Sequence, residues 1–250
     1  MSKATTGVRT RNLYDPASET PFRLSRSKLD DFINCPCCFY LDRRLGVGRP
    51  DMPGWPINSA IDELLKREFD EYRRRGEPHP IMQKYGIDAI PLAHPDLDEW
   101  RRNFGGITHH HADTNLILTG AVDDIWQDSA GRLIVVDYKA TSTQSEITLE
   151  AEYRQGYKRQ LEIYQWLLRQ NGFEVSERAY IVYANGLKDR PSFDARMDFE
   201  LTLLPHDGDA RWVETCVREA HACLQADLPP SPGLACSFCL YRSAALSAGL

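Results

Sequence analysis

At 250 residues, with 42% apolar side chains and a formal net charge of −6, the chain can bury one substantial core and does not read as disordered. The negative balance argues against a protein that coats nucleic acid indiscriminately, though it leaves room for a local basic groove. No run approaches the ~18 consecutive apolar residues of a spanning helix, and the opening "MSKATTGVRTRNLYDPASETPF" lacks the apolar centre of a signal peptide. A cytoplasmic protein with no membrane partner is therefore expected.

In chain order, the pattern predicts a flexible tail over residues 1–22, a helix over 27–34 and an amphipathic helix over 59–75. A Pro- and His-containing connector leads to a short helix over 96–103, strands over 116–126 and 132–139, and a helix over 151–170. Strands at "RAYIVYAN" and "RMDFELTLL", a helix over 208–226, the Pro-rich "LPPSPG" and a terminal cysteine pair complete the chain. One domain over 23–250 is expected. Basic residues cluster at Arg43, Arg44 and Arg49, at Arg73 to Arg75, at Arg101 and Arg102, and at Lys158 and Arg159, a pattern that solvated helix faces also produce.

The stretch "GAVDDIWQDSAGRLIVVDYKAT" carries the most chemistry. Asp128 opens a type I turn and Gly131 suits the left-handed position, so Ser129 to Gly131 read as a three-residue hairpin loop. With Asp128 facing Arg132, counting back along both strands sets Asp123 opposite Asp137. Two carboxylates facing each other across a ladder, roughly 5 Å apart at Cβ, repel unless something neutralises them. Lys139 shares the face of Asp137, because side chains alternate with period two, and a divalent cation would complete the neutralisation. The flanking strand residues are apolar on both faces, as in a covered central strand, where unpaired charge is costly. The bland alternative is an Asp–Lys ion pair near a strand end with the other Asp solvated.

Two helices add to this. On 59–75, Asp62 projects beside the apolar stripe of Ile61, Leu64, Leu65, Phe69 and Tyr72, although Ser59-x-x-Asp62 also resembles an N-terminal capping arrangement. On 151–170, Gln160 and Tyr164 share the apolar face with Tyr157, Leu161, Leu167 and Leu168; they suit an amide and a hydroxyl set over the carboxylates, or a core tyrosine with Gln160 bonded to backbone.

Seven cysteines without an export signal favour metal or core roles over a disulfide framework. Cys35-x-x-Cys38 and Cys236-x-x-Cys239 together make a four-thiolate set, with free buried thiols as the alternative. Such a site would clip segments 23–50 and 226–242 into a cysteine subdomain. Cys216 and Cys223 read as helix core, and Cys37 has no spacing partner. The run His109-His110-His111 precedes the first expected strand and reads as a surface or substrate-contact feature.

Gly120-x-x-Asp123, Asp137-x-Lys139 and Gln160-x-x-x-Tyr164, in that order, resemble the PD-(D/E)XK nuclease superfamily, in particular its RecB-like exonuclease branch with the CRISPR-associated RecB-like nucleases. The resemblance runs over about residues 25 to 242 and takes in "SKLDDFINCP" and "CSFCLYR". It implies an α/β, restriction-endonuclease-like fold: a mixed central sheet flanked by helices, with a cysteine-clamped helical appendage. It also implies a Mg²⁺- or Mn²⁺-dependent deoxyribonuclease, exonucleolytic, serving repair, recombination or defence. An RNA nuclease and a non-catalytic nucleic-acid-binding module are the alternatives. Asp123, Asp137, Asp62 and the carbonyl of Tyr138 would hold the metal, while Lys139, Gln160 and Tyr164 would assist catalysis. RecB-like members usually have His where this chain has Asp62, which still suits a hard cation. Those with iron–sulfur clusters usually supply one early and three late cysteines; here Ala244 and Ala245 stand where the last is sought, and Cys38 would replace it. A [4Fe-4S] cluster at Cys35, Cys38, Cys236 and Cys239 is thus implied, with Zn²⁺ as the alternative.

Overall fold

The computed structural model describes residues 8–50, 54–151 and 154–249. The first seven residues of the expected tail, positions 152 and 153 of the helix expected from 151, and Leu250 of the expected domain lie outside the described residues. In chain order the elements are β1 (Phe22–Ser25), α1 (Arg26–Asn34), α2 (Pro36–Leu45), α3 (Pro56–Arg75), α4 (Pro80–Lys84), β2 (Ala89–Pro91), α5 (Leu97–Arg101) and β3 (Ile107–His111). They continue through β4 (Leu116–Gly120), β5 (Asp124–Asp128), β6 (Leu133–Thr141), α6 (Gln155–Gln170), β7 (Arg178–Gly186), β8 (Phe199–Asp207), α7 (Arg211–Gln225) and α8 (Ser237–Ser247). The fold is mixed α/β. It divides into two compact units: Met1–Pro53, His110–Leu118 and Trp212–Leu250 in one, Gly54–His109 and Thr119–Arg211 in the other.

The second unit holds a five-stranded sheet in the order β2-β5-β6-β7-β8. β6 is central, as its two-sided apolar pattern requires. The hairpin register is the expected one: Asp124 faces Val136 and Gln127 faces Leu133. The turn that fixes it has the Gly131 amide bonded to the Asp128 carbonyl at 2.9 Å, with Gly131 at φ +84°. β6 and β7 run parallel, joined by the α6 crossover, whereas β7 and β8 are antiparallel, so the sheet is mixed. On one face Leu65 and Phe69 of α3 and Ile81 and Met82 of α4 pack with Trp126, Ile134, Val136, Tyr138, Tyr180 and Val182. Phe69, Trp126, Tyr138 and Tyr180 meet ring to ring at 5.5–5.7 Å.

Three expectations change. The strand expected over 116–126 is two strands: β4 lies in a three-stranded sheet of order β1-β4-β3, and β5 starts four residues later in the larger sheet. Between them the Val122 amide leaves the ladder for the Trp100 carbonyl, at 3.0 Å. α3 begins three residues before the expected start, with Pro56 in its first turn and no side-chain cap at Trp55. Ser59 therefore caps nothing; its hydroxyl bonds back to the Trp55 carbonyl, and Asp62 lies beyond the first turn. Leu64, expected in the apolar stripe, is exposed.

In the first unit Pro36 starts α2 directly after α1, with Cys35 as the N-cap, and Gly46 closes the helix at φ +73°. Residues 8–21 form no helix or strand, yet the Arg9 amide bonds the Gly46 carbonyl at 2.9 Å and Tyr14 is buried, its amide on the Arg43 carbonyl. Arg9, Lys28 and Arg43 all pair with the nearly buried Asp42; against the burial that raises its carboxyl, Arg43 and Lys28 hold it down at about 2.

Candidate active site and four-thiol centre

At the end of β6 the alternation of the strand separates two kinds of chemistry. Tyr138 points to the α3 side, while Asp137 and Lys139 point to the α6 side, where Lys139 Nζ bonds the Asp137 carboxylate. Gln160 Nε2, one turn before Tyr164 on α6, donates to Asp137 Oδ1 at 2.7 Å and to the Tyr164 hydroxyl at 3.0 Å. The expected amide and hydroxyl are thus brought over the carboxylate, and the backbone-bonded alternative for Gln160 is not what forms. Asp123 reaches the same place from the residue before β5: its Oδ2 accepts the Tyr138 amide at 2.9 Å. Its Oδ1 accepts Lys66 Nζ at 3.2 Å, and the same ammonium donates to Asp62 at 2.8 Å.

The electrostatics follow from this packing. Burial and the neighbouring Asp123 charge raise the Asp137 carboxyl to about 7, against the opposing pull of Lys139. Asp123 is lowered instead, because the charges of Lys139 and Lys66 and the Tyr138 amide outweigh its desolvation. Burial and Asp123 raise Asp62. For both lysines burial favours the neutral form, but the adjacent carboxylates outweigh it and keep them charged. Asp137 is 1% exposed and Asp123 21%, so the pair has one sealed member and one facing out. Three carboxylates meet two ammonium groups here, an oxygen donor set of the kind that hard cations take.

The four thiols form a separate centre in the other unit. Cys35 caps α2 and its Sγ accepts the Cys38 amide at 3.5 Å; Cys236 stands at the N-cap position of α8 without a side-chain cap bond. Cys35 and Cys38 each lie 3.6 Å, sulfur to sulfur, from Cys239, and Cys38 lies 3.6 Å from Cys236. All four ligand atoms fall within 4.8 Å of one another. Among the described residues, this quartet is the converging group of three or more metal-ligand side chains; at the acidic site Lys66 stands between Asp62 and Asp123.

A protein-family model described as the PD-(D/E)XK nuclease superfamily matches residues 56–244. The chain belongs to this superfamily. Twelve solved chains also match, among them one titled "Crystal structure of SSO0001", at 22% sequence identity and a TM-score of 0.28 over 51% of this chain. The match takes in 50% of that chain, so the two share about half of their lengths. No curated protein matches.

Around the acidic site stand residues that the sequence did not single out. Lys66 is the first; its spacing of four from Asp62 was the available signal, but the same spacing serves countless surface ion pairs. Asp124, fully buried, is the second. It receives Arg73, Arg101 Nη2 at 2.8 Å and the Tyr138 hydroxyl at 2.7 Å, and Arg101 also bonds the Asp123 carbonyl at 3.0 Å. Arg73 and Arg101 are thus nearly buried structural cations, not solvated ones; Arg74, Arg75 and Arg102 are the exposed members of those clusters. Lys158 pairs with Glu150, and Lys139 Nζ lies 5.1 Å from the Tyr157 ring centroid. The histidine run lies within β3 instead of before a strand. His111 is buried between Thr114 and Glu214, and His109 meets the edge of Trp166. Cys37 is buried and accepts Arg242; Cys216 is buried on α7. Among the described residues no helix is long and apolar enough to cross a membrane.

Proposed function

We propose that the acidic cluster is the catalytic centre of a Mg²⁺- or Mn²⁺-dependent deoxyribonuclease of the RecB-like branch, acting exonucleolytically in DNA repair, recombination or defence. The supporting observation is the meeting of Asp123, Asp137 and Lys139 beside Gln160 and Tyr164, the side chains on which the RecB-like resemblance rests. Asp123, Asp137 and the Tyr138 carbonyl would hold the cation, which when bound supplies Lewis-acid polarisation of the phosphate and lowers the pKa of water. Asp62 joins them if Lys66 moves aside. Lys139, kept charged by two carboxylates, orients the attacking water by hydrogen bonding and offsets negative charge that develops on the phosphate. Gln160 fixes the Asp137 carboxylate through one oxygen and leaves the other to its exchangeable partner, while Tyr164 holds the Gln160 amide in place. The cysteine-bearing segments 23–50 and 226–242 act as a subdomain of a single nuclease domain over 23–250.

The second reading, a nuclease-fold module that grips nucleic acid without cutting it, is favoured by Lys66, which already satisfies Asp62 and Asp123. End-labelled single- and double-stranded DNA and RNA, and covalently closed circles, incubated with Mn²⁺ distinguish the readings. Expected is degradation of linear DNA, resistance of circles, and a loss of about 10³-fold in turnover for Asp137→Ala or Lys139→Ala. Binding with no turnover supports the second reading. Undiminished cleavage by Asp137→Ala removes the catalytic assignment.

A further inference from the structure

The four thiols are too close together for the cluster that the resemblance implies. Around a single ion with metal–sulfur bonds of ~2.3 Å, tetrahedral geometry sets sulfur–sulfur edges of about 3.8 Å, the bond length multiplied by 1.63. In a [4Fe-4S] cluster each cysteine binds its own iron and projects outward from it. Its sulfurs must therefore be separated by that same edge plus the full iron–iron spacing, roughly 6 Å or more. The contacts among Cys35, Cys38, Cys236 and Cys239 are 3.6 Å, and no pair exceeds 4.8 Å.

The backbone closes the same space. A Cβ at Gly233 would lie 3.3 Å from Cys35 Sγ and 3.3 Å from Cys236 Cβ, so the chain before α8 lies directly against the Cys35 sulfur, where four irons and four sulfides would need room. The ligands come as two Cys-x-x-Cys pairs, each opening a helix, with the Cys38 amide on Cys35 Sγ. Paired knuckles closing on one ion are the pattern of a structural four-cysteine zinc site with no open position.

We propose that this chain binds one tetrahedral zinc ion at Cys35, Cys38, Cys236 and Cys239, in place of a [4Fe-4S] cluster. The centre is structural: it ties the start of α2 to the start of α8 and performs no redox step. The inference stands whether or not the acidic site cuts DNA.

The test uses the full chain, purified without oxygen and divided for elemental analysis, acid-labile sulfide determination and visible spectroscopy. One zinc per chain, no sulfide and no colour are expected. Metal-free protein offered zinc alone should take up one equivalent, and offered Co²⁺ should develop the intense visible bands of tetrahedral cobalt thiolate. Cys236→Ser should lose that spectrum, while Cys223→Ser, outside the quartet, should retain it. About four irons with matching sulfide per chain would overturn the proposal, as would failure to bind either zinc or Co²⁺. If Cys236→Ser does not fold, the stoichiometry and cobalt spectrum of the unaltered chain decide the matter.

Discussion

Around β6 the protein brings its own counter-charges: Asp62, Asp123 and Asp137 are answered by Lys66 and Lys139. At the four-cysteine centre sulfur faces sulfur at 3.6 Å. A site that carries lysines as stand-ins keeps its shape without a cation and can exchange one. A site built of converging thiols would be completed only by an ion among them, and such a metal would belong to the fold. The two centres should therefore respond to perturbation in opposite ways.

The largest separation comes from Gly120, where an added Cβ would lie 2.6 Å from Tyr164 Cε1 and 3.0 Å from Leu167 Cδ1. Gly120→Val should cost about 3 kcal/mol in denaturant unfolding, because α6 must shift away from the strand. Turnover should fall with it as Gln160 leaves Asp137, while metal content at the thiols stays unchanged. Equal loss of thiol-bound metal would mean that the two centres are not independent. A smaller effect is expected from Lys66→Met, which removes the ammonium competing for Asp123 and Asp62. Mn²⁺ affinity at the acidic site, read by calorimetry, should rise about tenfold, or ~1.4 kcal/mol; weaker binding would show that Lys66 assists the cation.

The smallest is a dependence on pH. Asp137 holds its proton to about pH 7 in the folded protein, whereas an unfolded aspartate releases it near 3.8. Between those values the folded chain binds the extra proton, so its stability declines as pH rises across that window. Thermal scans at the acidic site without divalent cation should show the melting temperature falling by a few degrees between pH 4.5 and 7.5. Mn²⁺ should reverse this at pH 7.5 and have little effect at pH 4.5. A rising melting temperature over the same range would contradict the raised carboxyl.

Much of the acidic site was legible because turn chemistry fixes register. Asp128 and Gly131 determine how β5 and β6 pair, and from that the meeting of positions 123 and 137 follows by counting. Period two then puts Lys139 with Asp137, and a spacing of four puts Gln160 with Tyr164. The break between β4 and β5 was hidden, because an apolar run looks the same whether it continues in one sheet or passes to another. Lys66, Arg73 and Arg101 were hidden for a related reason: a basic residue near an acid on a helix has the same local pattern whether exposed or enclosed. At the thiols, Cys-x-x-Cys spacing picked out the four cysteines that converge but not their separation, and separation is what distinguishes room for one ion from room for a cluster.

Asp123 and Asp124 are chain neighbours with different roles. Asp124 is locked by two nearly buried guanidiniums and a phenol, whereas Asp123 is met by a backbone amide and one long, movable ammonium. Slipping the chain by a single residue anywhere from Gly120 to Gly131 would carry Asp123 into the locked position with Val122 in its former place, or Asp124 into the open position with Ile125 in its former place, so in either direction an apolar side chain replaces one of the two carboxylates. That dozen or so positions should therefore tolerate substitutions far better than insertions or deletions. The connection between β7 and β8, residues 187–198, bears no such constraint, and length differences among descendants of this chain should accumulate there.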